Sequence, residues 1–187
     1  MMKQMLKAVV VSGAAVAVLS GTAAPAGAAA AAGDPYRNTG LTKVYGKVGL
    51  CFSLDNSKKN KAALKLRKCN KKSKGQRWNV LWLNSGSPAQ QPRYAIQNRT
   101  SGKCLYPTSK KSGAAVRQYT CNRKSKPQWW LLDDRRIYSY GSGGRVMSAQ
   151  SDRSGTTITL MKKSNKAKNL KKQAFALIWK KNDPTHW

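Results

Sequence analysis

Short runs in which apolar and polar residues alternate, separated by clusters of turn-forming residues, fill most of this 187-residue chain. Alternation at period two sets every second side chain on the same face of a strand. Trp78/Val80/Trp82, Trp130/Leu132 and Phe175/Leu177/Trp179 each follow that rule, so each is expected to turn one face inward. Tyr94 to Gln97, Ala115 to Tyr119, Ile137 to Tyr140, Thr157 to Met161 and Ala174 to Trp179 are rich in β-branched or aromatic residues and read as strands. Asn84 to Arg93, with Ser-Gly-Ser-Pro and a second proline, reads as a linker. Past the first residues no long helical pattern occurs, and the chain is expected to be all-β.

The first residues are patterned differently. Lys3 and Lys7 precede an apolar run from Ala8 to Leu19, followed by small residues with Ala-x-Ala sites such as Ala26-Gly27-Ala28. That order predicts a secretory signal peptide, with residues 1–32 as leader and cleavage region. The run of 12 residues is short of the ~20 that a transmembrane helix needs, so no membrane span is expected. What remains is one domain's worth of chain, secreted and extracellular. Export to an oxidising compartment also directs the four cysteines to disulfides rather than metal, and no metal or cofactor motif accompanies them.

The chain repeats itself. Cys69-Asn70-Lys71-Lys72-Ser73-Lys74-Gly75-Gln76-Arg77-Trp78 is nearly copied by Cys121-Asn122-Arg123-Lys124-Ser125-Lys126-Pro127-Gln128-Trp129-Trp130. Upstream, Gly49-Leu50-Cys51 matches Gly102-Lys103-Cys104 and, more faintly, Gly144-Arg145-Val146. Cys51 to Trp78 spans 27 residues, Cys104 to Trp130 spans 26 and Val146 to Phe175 spans 29. Three units of similar length follow, at about 44–83, 94–134 and 137–179, with an arm at 33–43 and a tail at 181–187. The third unit lacks both cysteines, as pairing within a unit predicts; of the three possible connectivities this favours Cys51 with Cys69 and Cys104 with Cys121. Three strand-rich units sharing an apolar face predict a closed barrel with pseudo-threefold symmetry.

Tyr94-Ala95-Ile96-Gln97-Asn98, Ser101-Gly102-Lys103-Cys104-Leu105, Cys121-Asn122 and Gln128-x-Trp130 together resemble a repeat of the ricin B-type lectin family. The Gln-x-Trp close stands twice intact and once as Gln173-Ala174-Phe175. The resemblance covers about Tyr45 to Trp179 and implies a β-trefoil over residues 44–180 and non-catalytic sugar binding. It also implies an acid two residues past the first cysteine, an aromatic two before the second and an Asn just before the Gln. Here the acid position holds Ser53, Tyr106 and Ser148; the aromatic position holds Arg67, Tyr119 and Met161; the Asn position holds Gly75, Pro127 and Lys172. Unit two keeps a ring, so Tyr119, Asn122 and Gln128 are the candidates for a sugar site, with Tyr106 and Trp129 beside them. Each Gln of the motif has a competing role as a turn-closing hydrogen-bond partner.

Charge changes this picture. Lys and Arg number 36 against six acids, all Asp, and the formal charge of +30 falls by the two leader lysines to +28. Solubility of a small domain needs a magnitude of only ~2–8. The excess predicts attraction to polyanions that weakens with salt. It concentrates in the loops after the second cysteine position: Lys71, Lys72, Lys74 and Arg77; Arg123, Lys124 and Lys126; Lys162, Lys163, Lys171 and Lys172. In the family this loop borders the sugar, so an anionic ligand is expected: an acidic or sulfated glycan, or a wall polymer. The alternatives are a non-specific nucleic-acid binder, since Lys outnumbers Arg and no base-reading motif occurs, and an inhibitor or toxin accessory subunit that uses the scaffold to bind protein; in every reading a monomer is expected. Catalysis is not expected, for the chain has no Glu and a single His, His186.

Overall fold

The computed structural model describes residues 36–43, 47–83, 91–133 and 135–178. Twelve strands form among them, four per unit: β1 (Tyr36–Lys43), β2 (Leu50–Ser53), β3 (Lys65–Lys68), β4 (Trp78–Trp82), then β5 (Tyr94–Asn98), β6 (Cys104–Pro107), β7 (Val116–Tyr119), β8 (Trp130–Asp133), then β9 (Arg136–Ser139), β10 (Val146–Ala149), β11 (Ile158–Met161) and β12 (Phe175–Ile178). A seven-residue helix, α1 (Ala167–Gln173), precedes β12. Leu177 and Trp179, expected to face inward, carry side chains outside the described residues, as do 84–90 of the linker and His186.

The first and last strand of each unit build the barrel. Antiparallel pairing runs β12 to β1, β1 to β4, β4 to β5, β5 to β8 and β8 to β9. Phe175 N–H donates to Arg135 O at 2.7 Å and brings β12 back to β9. The segment expected as an N-terminal arm is thus β1, a barrel strand that pairs with β2, β4 and β12. Its sequence is polar and Gly-containing, so no alternation announced it.

The middle strands of each unit form hairpins, β2 with β3, β6 with β7 and β10 with β11. Single bridges join the three hairpins to one another: Ala63 to Arg117, Lys65 to Thr157 and Ala115 to Thr159. Gln118, fully buried, ties unit two to unit one by donating to Ser57 O and Lys59 O, both at 2.8 Å. Closing the sheet on itself removes most unpaired edges.

One core fills the barrel, and it is the apolar face anticipated from the alternation. Leu41, Phe52, Leu66, Trp78, Val80, Ile96, Leu105, Trp130, Met147, Leu160 and Phe175 are among its members. The repeat extends to hydrogen bonding: Trp78 Nε1–H donates to Phe52 O at 3.4 Å and Trp130 Nε1–H to Leu105 O at 3.3 Å. Phe175 has no such donor and instead packs its ring 4.7 Å from that of Phe52. Trp82 departs from the expectation and is 49% exposed. It stands at the open end of β4, where its neighbour Leu81 is the buried residue, covered by a small outer cluster with Ala95 and Cys104.

Candidate functional site

Both disulfides form within a unit, Cys51–Cys69 and Cys104–Cys121, as the missing pair in unit three predicts. Each crosses its hairpin at the mouth and sets where the following loop begins. The motif Gln then closes that loop in every unit. Gln76 accepts from Asn70 N–H at 2.8 Å and donates to Lys68 O at 2.9 Å. Gln128 does the same with Asn122 N–H and Thr120 O, and Gln173 with Ser164 N–H and Lys162 O. All three are buried. Gln128, a sugar candidate from sequence, therefore spends both ends of its amide on the loop. Asn122 is exposed, and its Oδ1 accepts from Lys124 N–H at 3.0 Å as the first residue of the turn.

The position of the ring platform has a different chemistry in each unit. In unit one Arg67 holds Asp55 in a two-pronged pair, Nε to Oδ1 and Nη2 to Oδ2, both 2.7 Å, with Lys65 Nζ 3.7 Å away. Ser53, at the acid position, accepts from Asp55 N–H at 3.1 Å. That ion pair engages the residue at the position where the resemblance implies a ring. In unit two Tyr106 and Tyr119 lie on one face of the β6–β7 hairpin, ring centroids 4.9 Å apart, beside Arg117. In unit three a pocket of about 260 Å³ opens between the hairpin and α1, with Ser148, Met161, Lys162, Lys163 and Lys172 in its walls. The acid, ring and Asn positions of the resemblance, Ser148, Met161 and Lys172, all meet there.

Asp55 gives the ion pair with Arg67 a pH signature. Its hydrogen bonds from Arg67 hold the carboxyl below its ordinary 3.8, against a smaller opposing effect of burial and with help from the charges of Arg67 and Lys65. A folded-state value below the unfolded one means the contribution is present above the unfolded value and is lost as pH falls through the folded value. Thermal unfolding followed by circular dichroism should fall off below pH ~4 less steeply in Asp55→Asn than in the parent. Because both partners are more than a third exposed, the substitution should cost no more than about 1 kcal/mol at neutral pH.

The basic loops are not equivalent either. Lys71, Lys72, Lys74 and Arg77 of unit one line a cleft of about 460 Å³ together with Arg99 and Thr100 of unit two. Sequence reasoning missed the last two, because a repeat-by-repeat reading assigns them to a different unit from the loop they face. In unit two Arg123 reaches the backbone of β4, its Nη2 donating to Trp82 O at 2.5 Å, while the residue stays exposed. Lys124 and Lys126 stay exposed. Trp129, expected to face solvent, is half-buried: its Nε1–H donates to Arg123 O at 2.8 Å and its ring lies 5.4 Å from Tyr140. The Arg93 guanidinium sits 5.0 Å over the Trp129 ring and 5.4 Å from that of Tyr140. In unit three Lys163 Nζ lies 5.6 Å over Tyr138, and Lys171 is exposed on α1.

Asp133 and Arg136 are backbone register partners across the β8–β9 turn, with Arg135 in the left-handed region at φ 58°. Its neighbour Asp134 lies outside the described residues. Among the described residues no group of three His, Cys, Asp or Glu side chains converges as a metal site would require, and no helix is long and apolar enough to cross a membrane.

Residues 74–161 match the family described as ricin-type beta-trefoil lectin domain-like. No curated protein matches the chain. Among solved structures, the designed threefold-symmetric protein ThreeFoil is similar at 21% identity and TM-score 0.63, over 75% of this chain and 96% of that one. The agglutinin from Abrus precatorius is similar at 27% identity and TM-score 0.58, over 76% of this chain. An exo-β-1,3-galactanase from Clostridium thermocellum is similar at 24% identity and TM-score 0.61, also over 76%. The chain spans 48% of the agglutinin chain and 30% of the galactanase. With a sequence match over residues 74–161 and a trefoil that closes around it, the chain has the β-trefoil fold and its central part matches the ricin-type β-trefoil lectin-like family.

Proposed function

We propose that this protein is a secreted, non-catalytic carbohydrate-binding module whose ligand is an anionic polymer, an acidic or sulfated glycan or a charged wall polymer. The pocket of unit three carries the reading: at the family's sugar position, Ser148 and Met161 replace the acid and the ring, and Lys162, Lys163 and Lys172 supply positive charge. A neutral sugar would lose the ionised acceptor for its hydroxyls, whereas a sulfate or carboxylate gains three cations. The imbalance of 36 cations to six acids supports the same choice, because the carboxylates cannot neutralise more than a fraction of the surface. The two disulfides and the leader-like first residues support export. The absence of Glu from the sequence supports a binding rather than a catalytic role.

Retention on heparin resin and on galactose resin, at low and high salt, tests the reading. The parent should stay on heparin at low salt and leave as salt rises; Lys162→Ala/Lys163→Ala/Lys172→Ala should leave at distinctly lower salt. Retention on galactose at high salt, competed by free galactose, would overturn it. The paired rings of Tyr106 and Tyr119 favour a second reading, a neutral-sugar site in unit two. In that case Tyr119→Ala abolishes galactose retention and leaves heparin retention unchanged.

A further inference from the structure

The cleft between units one and two is lined by Lys71, Lys72, Lys74 and Arg77 with Arg99 and Thr100, and its lining includes none of Ser53, Asp55 and Arg67. The loop is rigidly built. Asn70 Oδ1 accepts from Lys72 N–H at 2.8 Å, Asn56 Oδ1 accepts from Gly75 N–H, and Arg77 Nη2 donates to Lys71 O. A Cβ on Gly75 would come within 2.5 Å of Asn56 N, so only glycine permits this approach. From the other side Thr100 Oγ1 donates to Lys74 O at 2.9 Å and Arg99 N–H to Arg77 O at 2.8 Å. Two units thus hold five cationic side chains around one cleft, and among the described residues no carboxylate pairs with any of them.

The fold does not require those cations. At the next junction Tyr140 N–H donates to Trp129 O at 3.0 Å, the same bond that Arg99 makes to Arg77, so the equivalent places hold two aromatics. The barrel accepts rings there, and at the first junction it carries guanidinium groups instead. Five like charges in one cleft repel one another, a cost that a bound anion removes. Three lysines and two arginines with no aromatic wall read charge and offer no stacking surface to a base.

We propose that this cleft is a second anion subsite, distinct from the unit-three pocket, which takes clustered sulfate or phosphate esters of a glycan polymer. It rests on the reading of the protein as a binder of anionic glycans and deepens it. Two subsites on one rigid domain bind a long chain more tightly than a short one, because the second contact becomes intramolecular.

The test measures binding of four probes to the intact domain by titration: heparin fragments, poly(ribitol phosphate), hyaluronan with carboxylates only, and a single-stranded oligothymidylate. Arg99→Ala and Lys72→Ala/Lys74→Ala should each weaken heparin or poly(ribitol phosphate) by about tenfold or more, as loss of a charge-assisted contact does. The exposed pair Lys58→Ala/Lys59→Ala, which removes as much charge as the lysine double variant, should change it less than about twofold. Whichever of the two ester polymers binds more tightly identifies the source of the ester. Equal loss in the Lys58/Lys59 variant overturns the subsite in favour of bulk charge. Hyaluronan binding as tightly as the esters overturns the ester chemistry, and oligothymidylate binding as tightly with the same sensitivity to Arg99→Ala overturns the glycan class. If only the unit-three lysines matter, this inference fails while the proposed function stands; if neither set matters, both fail.

Discussion

Trp130→Ala should remove about 3–5 kcal/mol of folding stability, the usual range for deleting a buried indole. Trp130 is fully buried, lies where β8 meets both β5 and β9, and belongs to the central core. Alanine there leaves a large cavity and also strips Leu105 O of the indole N–H that approaches it at 3.3 Å. For a domain of this size the loss corresponds to a drop in Tm of roughly 10 °C or more, readable by circular dichroism. Trp130→Phe is the control, because unit three already uses Phe175 at the equivalent place. It should cost much less, about 1–2 kcal/mol, from the lost hydrogen bond and a smaller void. A phenylalanine variant as unstable as the alanine one would mean that the hydrogen bond, not the volume, dominates.

The second large effect is expected from the disulfides. Each closes a loop of 17 or 18 residues and should stabilise by about 3 kcal/mol in the chain-entropy model. Removing both takes away roughly 6 kcal/mol from a total that for a domain is about 5–15, so the doubly reduced protein should stand near the edge of unfolding at ambient temperature. Cys104→Ser/Cys121→Ser alone should fold with a lowered denaturation midpoint and unchanged slope in guanidinium. The two bridges should also differ in rate of reduction. Cys69 is exposed, whereas Cys104 is 1% exposed and its partner half-buried. Mild reductant followed by alkylation and mass analysis should therefore label Cys51 and Cys69 first, since exchange needs access to a sulfur. Simultaneous labelling of all four would show that global unfolding, not local access, controls reduction.

These two expectations concern parts of the molecule that the sequence announced. The paired cysteines, the spacing of the three units and the Trp, Trp, Phe series at their ends all have local signatures, because they repeat and because period-two alternation marks a buried face. β1 carries no alternation to announce it, because its core residue Leu41 stands among mostly polar residues and a glycine, and it becomes a strand through its pairing with β2, β4 and β12. Trp82 departs from the alternation for the complementary reason. Alternation continues to the end of β4, but the barrel stops covering that face one residue earlier.

The site divides along the same line. That basic residues crowd one loop in each unit is legible in the chain. What each cation does is not, because partners come from elsewhere in the fold: Arg67 is spent on Asp55, Arg123 on Trp82 O, and Lys71, Lys72, Lys74 and Arg77 meet Arg99 across a unit boundary. Trp129, which alternation turned outward, is drawn in by Tyr140 and Arg93. Composition, spacing and alternation are properties of neighbouring residues, and they suffice to specify a disulfide-stapled, threefold, strongly cationic β domain. Which charges are paired and which converge follows from the folded barrel, because closing it from three units places side chains against partners dozens of residues away, and Coulomb interaction depends on distance in space rather than on order along the chain.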